Sequence, residues 1–440
     1  MNNYPSLLHK HRLIRYFLSF TVLILTVIAC SSPPQKIAAK ENRYLFTLTP
    51  EAHETKEDLE VKYNGKVIAW EAGQYAVISV NERNGLSSQA ILEENTASFV
   101  AGAEMAQMTG RSGIWAGGRS GIWAGGRSGI WAGGRSGIWA GGEFVWMPEN
   151  TAMWKQIHLE EGHALAENLG YGVKVAVIDT GIDLTHPAFI ESLAPEKEWW
   201  DFYSDDAIPQ EEGVLGVGGF GHGSNVAGII RQIAPRATIL PIRVLGPDGT
   251  GTISDLVEAI QWAVDKGANV INLSLGSNLP STSVGAALLN ATYKGVLVVA
   301  STGNTGDTNV TYPASYATMP ISGHLRLSVT SVNTDNIKSV FSTYGSSVEV
   351  SAPGESIYGP APDLQMAAWS GTSMAAPVIT GTLALALGES LQPNIYKWDL
   401  AEQLKNSSYS IDFLNPNLLY KGLIGKGRVN VEAFLKKTIQ

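Results

Sequence analysis

Cysteine is almost absent from this 440-residue chain. Cys30 is the only one, so no disulfide can close within a single copy. A basic surplus is missing as well. Lysine and arginine number 31 against 40 aspartates and glutamates, giving a net charge of −9, and this excludes the positive footprint of a nucleic-acid binder. Mild acidity of this kind serves solubility. Near the N-terminus, the uncharged and largely apolar stretch Tyr16–Ala29 has 14 residues. A bilayer-spanning helix takes about 20, so this run is too short to span comfortably. What is present, 44% hydrophobic residues over the whole length, suffices for one large domain with smaller pieces.

Lys10, Arg12 and Arg15 precede the apolar run, which is the order of a secretory signal. The run closes with Val27-Ile28-Ala29-Cys30, which resembles a bacterial lipobox. The resemblance implies removal of residues 1–29 and lipid attached to Cys30, the new N-terminus. An ordinary signal with an incidental cysteine is the alternative. The sole cysteine falling where a lipobox needs it argues against that. Residues 30–42, opening Ser31-Ser32-Pro33-Pro34, then read as a flexible tether. Membrane contact is expected only through the lipid on Cys30.

Three parts follow. Residues 43–105 read as a small α+β module, with strands at Arg43–Leu48, Lys66–Trp70, Gln74–Val80 and Ala97–Val100 by their β-branched and aromatic content. Residues 106–149 contain the unit Arg-Ser-Gly-Ile-Trp-Ala-Gly-Gly four times in tandem, from Arg111 to Gly142. Three glycines in eight residues exclude a stable helix. The repeat reads first as a Gly-rich linker of roughly 30 Å end to end, and second as a Trp/Arg surface for a partner. Residues 150–437 alternate strand-like runs (Lys174–Ile178, Thr238–Val244, Val270–Ser274, Val296–Ser301, Leu327–Val332) with amphipathic helices (Leu256–Lys266, Ser283–Lys294). That alternation predicts an α/β fold with a mostly parallel sheet covered on both faces, whose chemistry sits beyond the carboxyl ends of the strands.

Four polar residues fall at such ends. Asp179 closes the strand Lys174–Ile178. His222 opens a helix in Gly221-His222-Gly223-Ser224. Asn304 follows the strand Val296–Ser301. Ser373, in Gly371-Thr372-Ser373-Met374, opens an apolar helix. Each alone reads as a turn, a cap or a structural residue. Together, in this order, they resemble the subtilisin family, and so do the strings VAVIDTGID, HGSNVAG, INLSLGS, STGN, YPASY and GTSMAAP. The resemblance covers residues 153–435. It implies a three-layer α/β/α serine endopeptidase with Asp179, His222 and Ser373 as a triad. Asn304 and the Ser373 N–H would bind the oxyanion.

The resemblance also implies that substrate adds as a strand between Ser274-Leu275-Gly276 and Gly249-Thr250-Gly251. Ala300–Gly303 would line the pocket for the residue before the cut, with room for an aromatic or aliphatic side chain. Residues 43–105 stand where the family carries its self-cleaved prodomain. Partners are then protein or peptide substrates and the chain's own prodomain, with a monomer expected. No cofactor is needed for catalysis and no metal residue is assigned. The Asn-rich insertion that holds calcium in many relatives is missing after His222, which leaves structural calcium elsewhere open. Val378 replaces the family's histidine, Ser224 its threonine, and Ser277 a glycine, the last narrowing the cleft. The expected place is the bacterial cell envelope, with release after maturation. The rivals are a processing protease with one dedicated substrate and a surface protein that binds through its repeats.

Overall fold

The computed structural model describes residues 43–82, 92–95, 97–101, 139–140, 143–144, 147–214, 217–318 and 323–440. Cys30, the tether and most of the octapeptide repeat lie outside the described residues.

The first module is a sheet of four antiparallel strands. They are β1 (Tyr44–Leu48), β2 (Lys66–Glu71), β3 (Tyr75–Val80) and β4 (Leu92–Glu94), in the order β2-β3-β1-β4. One helix, α1 (Lys56–Tyr63), is closed at its start by a reciprocal pair of bonds between Thr55 and Asp58. Successive residues face opposite ways. Phe46 and Ile78 pack with Leu59 of α1. Their neighbours Leu45 and Val77 belong to the core of the larger domain. The module is therefore half a core of its own and half a lid on the second domain.

A strand beyond this sheet, β5 (Ala97–Ala101), pairs elsewhere. Short strands β6 (Trp139–Ala140) and β7 (Glu143–Phe144) pair with each other. The large domain is built on seven parallel strands: β8 (Lys174–Asp179), β9 (Trp200–Asp201), β10 (Thr238–Arg243), β12 (Val270–Leu273), β14 (Leu297–Ser301), β15 (Arg326–Val332) and β16 (Val350–Pro353). Their order is β16-β15-β14-β12-β8-β10-β9. Both faces are covered, which is why these strands read as continuous apolar runs. On β8, Val175 and Val177 enter one core while Ala176 and Ile178 enter the other. The first core holds α4 (His222–Ile233) and α7 (Thr372–Leu387). The second holds α5 (Ile253–Asp265) and α6 (Thr282–Tyr293). The remaining helices are α2 (Thr151–Gln156), α3 (Leu159–Leu165), α8 (Leu400–Asn406) and α9 (Val431–Thr438). This is the three-layer α/β/α arrangement expected from the sequence.

Two side chains of the first module complete helices of the second. Glu93 accepts from the Ser283 N–H (3.0 Å) and the Ser281 hydroxyl (2.7 Å) at the start of α6. Asn95 accepts from the Ser254 N–H (2.8 Å) at the start of α5 and donates to the Ser254 hydroxyl (2.9 Å). Helix starts leave N–H groups without intrahelical partners, and these two residues satisfy them across the domain boundary. Replacing both Glu93 and Asn95 by alanine is expected to remove about 1–4 kcal/mol from the unfolding free energy of the uncleaved chain. Urea titration measures it, and an unchanged midpoint would refute the capping role.

Candidate active site

β8 delivers Asp179 at its carboxyl end, and α4 begins with His222 itself. Both are fully buried. Asp179 Oδ1 accepts from His222 Nδ1 at 2.7 Å, from the Thr180 N–H at 2.8 Å and from the Thr180 hydroxyl at 3.3 Å. A proton on Nδ1 held by a carboxylate leaves Nε2 as the acceptor. Nε2 is buried with no hydrogen-bond partner. The Trp369 ring stands at 85° to the imidazole, with centroids 5.6 Å apart. Burial works to lower the His222 pKa, but Asp179 and a second carboxylate, Glu211, outweigh it and raise it above the ordinary 6.5.

Ser373 is the second residue of α7, so its N–H is one of that helix's unpaired donors. Its hydroxyl donates to the Ser274 carbonyl at 3.1 Å. The Ser274 hydroxyl donates in turn to the Ser373 carbonyl at 2.7 Å. That carbonyl is free because Pro377, four residues on and inside the helix, has no N–H to give it. A rotation of the Ser373 side chain would bring its hydroxyl off Ser274 for proton transfer to an imidazole; such bonds often form only once substrate is bound. Asn304 follows β14 and lies against the start of α7. Its Oδ1 accepts from the Thr372 N–H (2.8 Å) and hydroxyl (3.0 Å). With the carbonyl side engaged by two donors, the Nδ2 hydrogens are left to donate elsewhere.

The two edges singled out in the sequence are joined by the chain itself. β5 runs antiparallel between β11 (Thr250–Thr252) and β13 (Leu275–Gly276). Val100 stands opposite both Thr250 and Gly276, Phe99 opposite Gly251, and Ala101 opposite Leu275. Gly249 and Ser274 flank these pairs. A strand of the chain thus lies between these two edges, its last residue Ala101 paired one position from the Ser274 that touches Ser373.

Residues 170–419 match the model described as the Subtilase family. This chain belongs to the subtilase family. Subtilisin BL of Lederbergia lenta is 36% identical over 274 residues, covering 60% of this chain and 91% of that one. Thermitase of Thermoactinomyces vulgaris is 38% identical over 226 residues, covering 49% and 75%. A solved structure of proteases from Pseudoalteromonas arctica superposes with a TM-score of 0.55 at 24% identity, over 66% of this chain and 98% of that one, and bears on the fold alone. The protein is a subtilisin-like serine endopeptidase that acts on protein substrates. Subtilases need no cofactor for catalysis. Among the described residues no group of three or more His, Cys, Asp or Glu is placed to hold a metal ion, and no helix is long and apolar enough to cross a membrane.

Sequence reading missed Glu211 in this subtilase. It is buried (4% exposed) in the loop before α4. Its carboxylate accepts from the N–H groups of Gly221 (2.9 Å), Gly223 (3.2 Å) and Ser224 (3.2 Å) and from the hydroxyls of Ser224 (2.5 Å) and Thr180. Burial pushes its carboxyl up to about 7, against the pull of the Ser224 and Thr180 hydroxyls. It holds the start of the histidine helix and, where ionised, adds negative charge beside the ring. Glu211→Gln removes that charge, so the imidazolium becomes less favourable. The acid limb of kcat/KM is expected to move to lower pH by about half a unit or more, together with a fall in turnover. A fall in turnover with an unmoved limb would mean that Glu211 serves only to shape the loop. Ala300, assigned to the pocket, is buried in a core cluster, whereas Gly303 exchanges hydrogen bonds with Thr372 beside Ser373. Val378 is fully buried within α7, packed as a structural residue.

Proposed function

We propose that Ser373 is the nucleophile, His222 its general base and Asp179 the anion that orients and stabilises the imidazolium. The Asn304 amide and the Ser373 N–H bind the oxyanion of the tetrahedral intermediate. The observation that carries this reading is the 2.7 Å His222–Asp179 bond at the end of a buried strand, with Nε2 left unpaired. The acyl-enzyme on Ser373 is then released by water. Because His222 must be neutral to act and its pKa is raised, activity rises with pH through a limb above 6.5.

Substrate lies as an extended strand between Gly249-Thr250-Gly251 and Ser274-Leu275-Gly276. Backbone pairing gives broad tolerance, with an apolar residue before the cut. Residues 43–105 act as a prodomain, and the position of β5 between the two edges supports self-cleavage just beyond it. The lipid on Cys30, the tether, the prodomain and the repeats all precede the protease domain. The first cut therefore also detaches the enzyme from its lipid, turning an envelope-anchored precursor into a released monomeric protease. Replacing Ser373 by alanine and following both casein hydrolysis and chain length tests the two halves together.

A further inference from the structure

The Ser274 hydroxyl that meets the Ser373 carbonyl is the end of a longer run of buried polar groups. Asn272, on β12, donates from Nδ2 to Ser274 Oγ at 2.9 Å. Its Oδ1 accepts from the Thr380 hydroxyl at 2.8 Å. Thr380 lies in α7, about two turns beyond Ser373. The hydrogen bonds therefore leave the helix at Thr380, cross to the sheet at Asn272 and return to the helix at the serine. Asn272, Ser274 and Thr380 are all fully buried. Thr382, also in α7, donates to the Val378 carbonyl of its own helix, as helical threonines commonly do. Thr380 gives its one proton to the sheet instead.

The order of donors in this run has one consistent solution. Pro377 leaves the Ser373 carbonyl without a donor from its own helix, and the Ser274 hydroxyl supplies one at 2.7 Å. A hydroxyl has a single proton, so Ser274 Oγ must accept from Asn272. Asn272 can donate there only with Nδ2 toward Ser274 and Oδ1 toward Thr380. With the amide turned over, Oδ1 would draw the Ser274 proton away from the Ser373 carbonyl, and the Thr380 proton would face an N–H₂ group with no acceptor. We propose that Thr380 is a positioning residue for the reaction. By donating to Asn272 it fixes the direction of the amide. Through Ser274 it thereby holds the carbonyl of the nucleophile and the first turn of α7. The inference rests on the reading of Ser373 as the nucleophile; Thr380 itself touches no reacting atom.

The test uses enzyme matured from the full chain and one peptide substrate. Thr380→Val keeps the volume and removes the hydroxyl. The amide is then free to turn, and the Ser373 carbonyl loses its donor. kcat is expected to fall by about 5–50-fold, inside the hundredfold that roughly 1 Å of misplacement can cost. KM should stay within about twofold, because the lost contact is not one to substrate. Thr380→Ser keeps the proton and should restore kcat to within about twofold of wild type. Ser274→Ala breaks the run one step nearer the nucleophile, so adding Thr380→Val to it should lower kcat no further. A threonine that acts by packing alone gives the same fold loss in both backgrounds, and that additivity overturns the proposal. Wild-type kcat in Thr380→Val, or a serine variant as slow as the valine one, overturns it too. Should the valine variant not mature, Thr380→Ala removes the same hydroxyl with a smaller side chain. Loss of cooperative urea unfolding in both makes the hydroxyl a requirement of the fold and overturns the positioning role. A wild type without turnover would instead remove the catalytic assignment beneath it.

Discussion

Ser373→Ala protein is expected to accumulate as an uncleaved chain, still carrying residues 43–105 and the lipid on Cys30, with peptidase turnover lowered by about 10⁶-fold. That magnitude is the one known for the corresponding serine of subtilisin itself. The two effects share one cause. Without the hydroxyl, His222 Nε2 has no nucleophile to deprotonate, for foreign peptides and for the chain's own β5 segment alike. Intact mass and N-terminal sequencing read the second effect directly: wild type should begin beyond Ala101, and the variant at Cys30. If wild type and variant are processed alike, another protease does the cutting. If wild type stays whole yet digests casein, the anchor is permanent and release is wrong. Inactive wild type would remove Ser373 from the mechanism.

Asn304→Ala should lower kcat by about 10²–10³-fold with KM held within a few-fold. This size too comes from the corresponding asparagine of subtilisin. The structure adds a complication that the mechanism alone does not contain. Asn304 Oδ1 also accepts the Thr372 N–H at the first residue of α7. Alanine therefore takes away an oxyanion donor and a helix cap at once, and the lost cap costs about 1 kcal/mol of stability. Asn304→Asp separates them. Its carboxylate keeps the acceptor for Thr372 but has nothing to donate. It should show the full loss in kcat with the thermal transition restored toward wild type. Restored activity in the aspartate variant would show that Asn304 matters through the helix and not through the oxyanion.

The sequence was most legible where a functional residue borders a long periodic segment. Asp179 closes a strand in which Val175 to Ile178 alternate into two cores, and Ser373 stands at the start of a helix buried along nearly its whole length. Helix α5 was expected from Leu256 and begins at Ile253. The extra turn is capped by Thr252 and by Asn95, the latter 159 residues away in the chain, which no local pattern records. Glu211 was illegible for a similar reason. It and Glu212 are adjacent and alike, yet one is buried under the histidine helix while the other, largely exposed, meets Arg243 at 3.2 Å. Only the path of the loop decides between them.

Pro377 gives α7 an unusual mechanical property. By withholding its N–H it frees the Ser373 carbonyl, which the Ser274 hydroxyl then holds. On the proposed mechanism this bond ties the nucleophile directly to the residue beside the strand edge that would align the peptide. Thermal drift of either one carries the other along, so that displacements common to both leave their separation unchanged. Misplacement by about 1 Å can cost a hundredfold in rate. A helix that would ordinarily have closed its own hydrogen-bond ladder at this point instead lends one rung as a positional reference for the substrate.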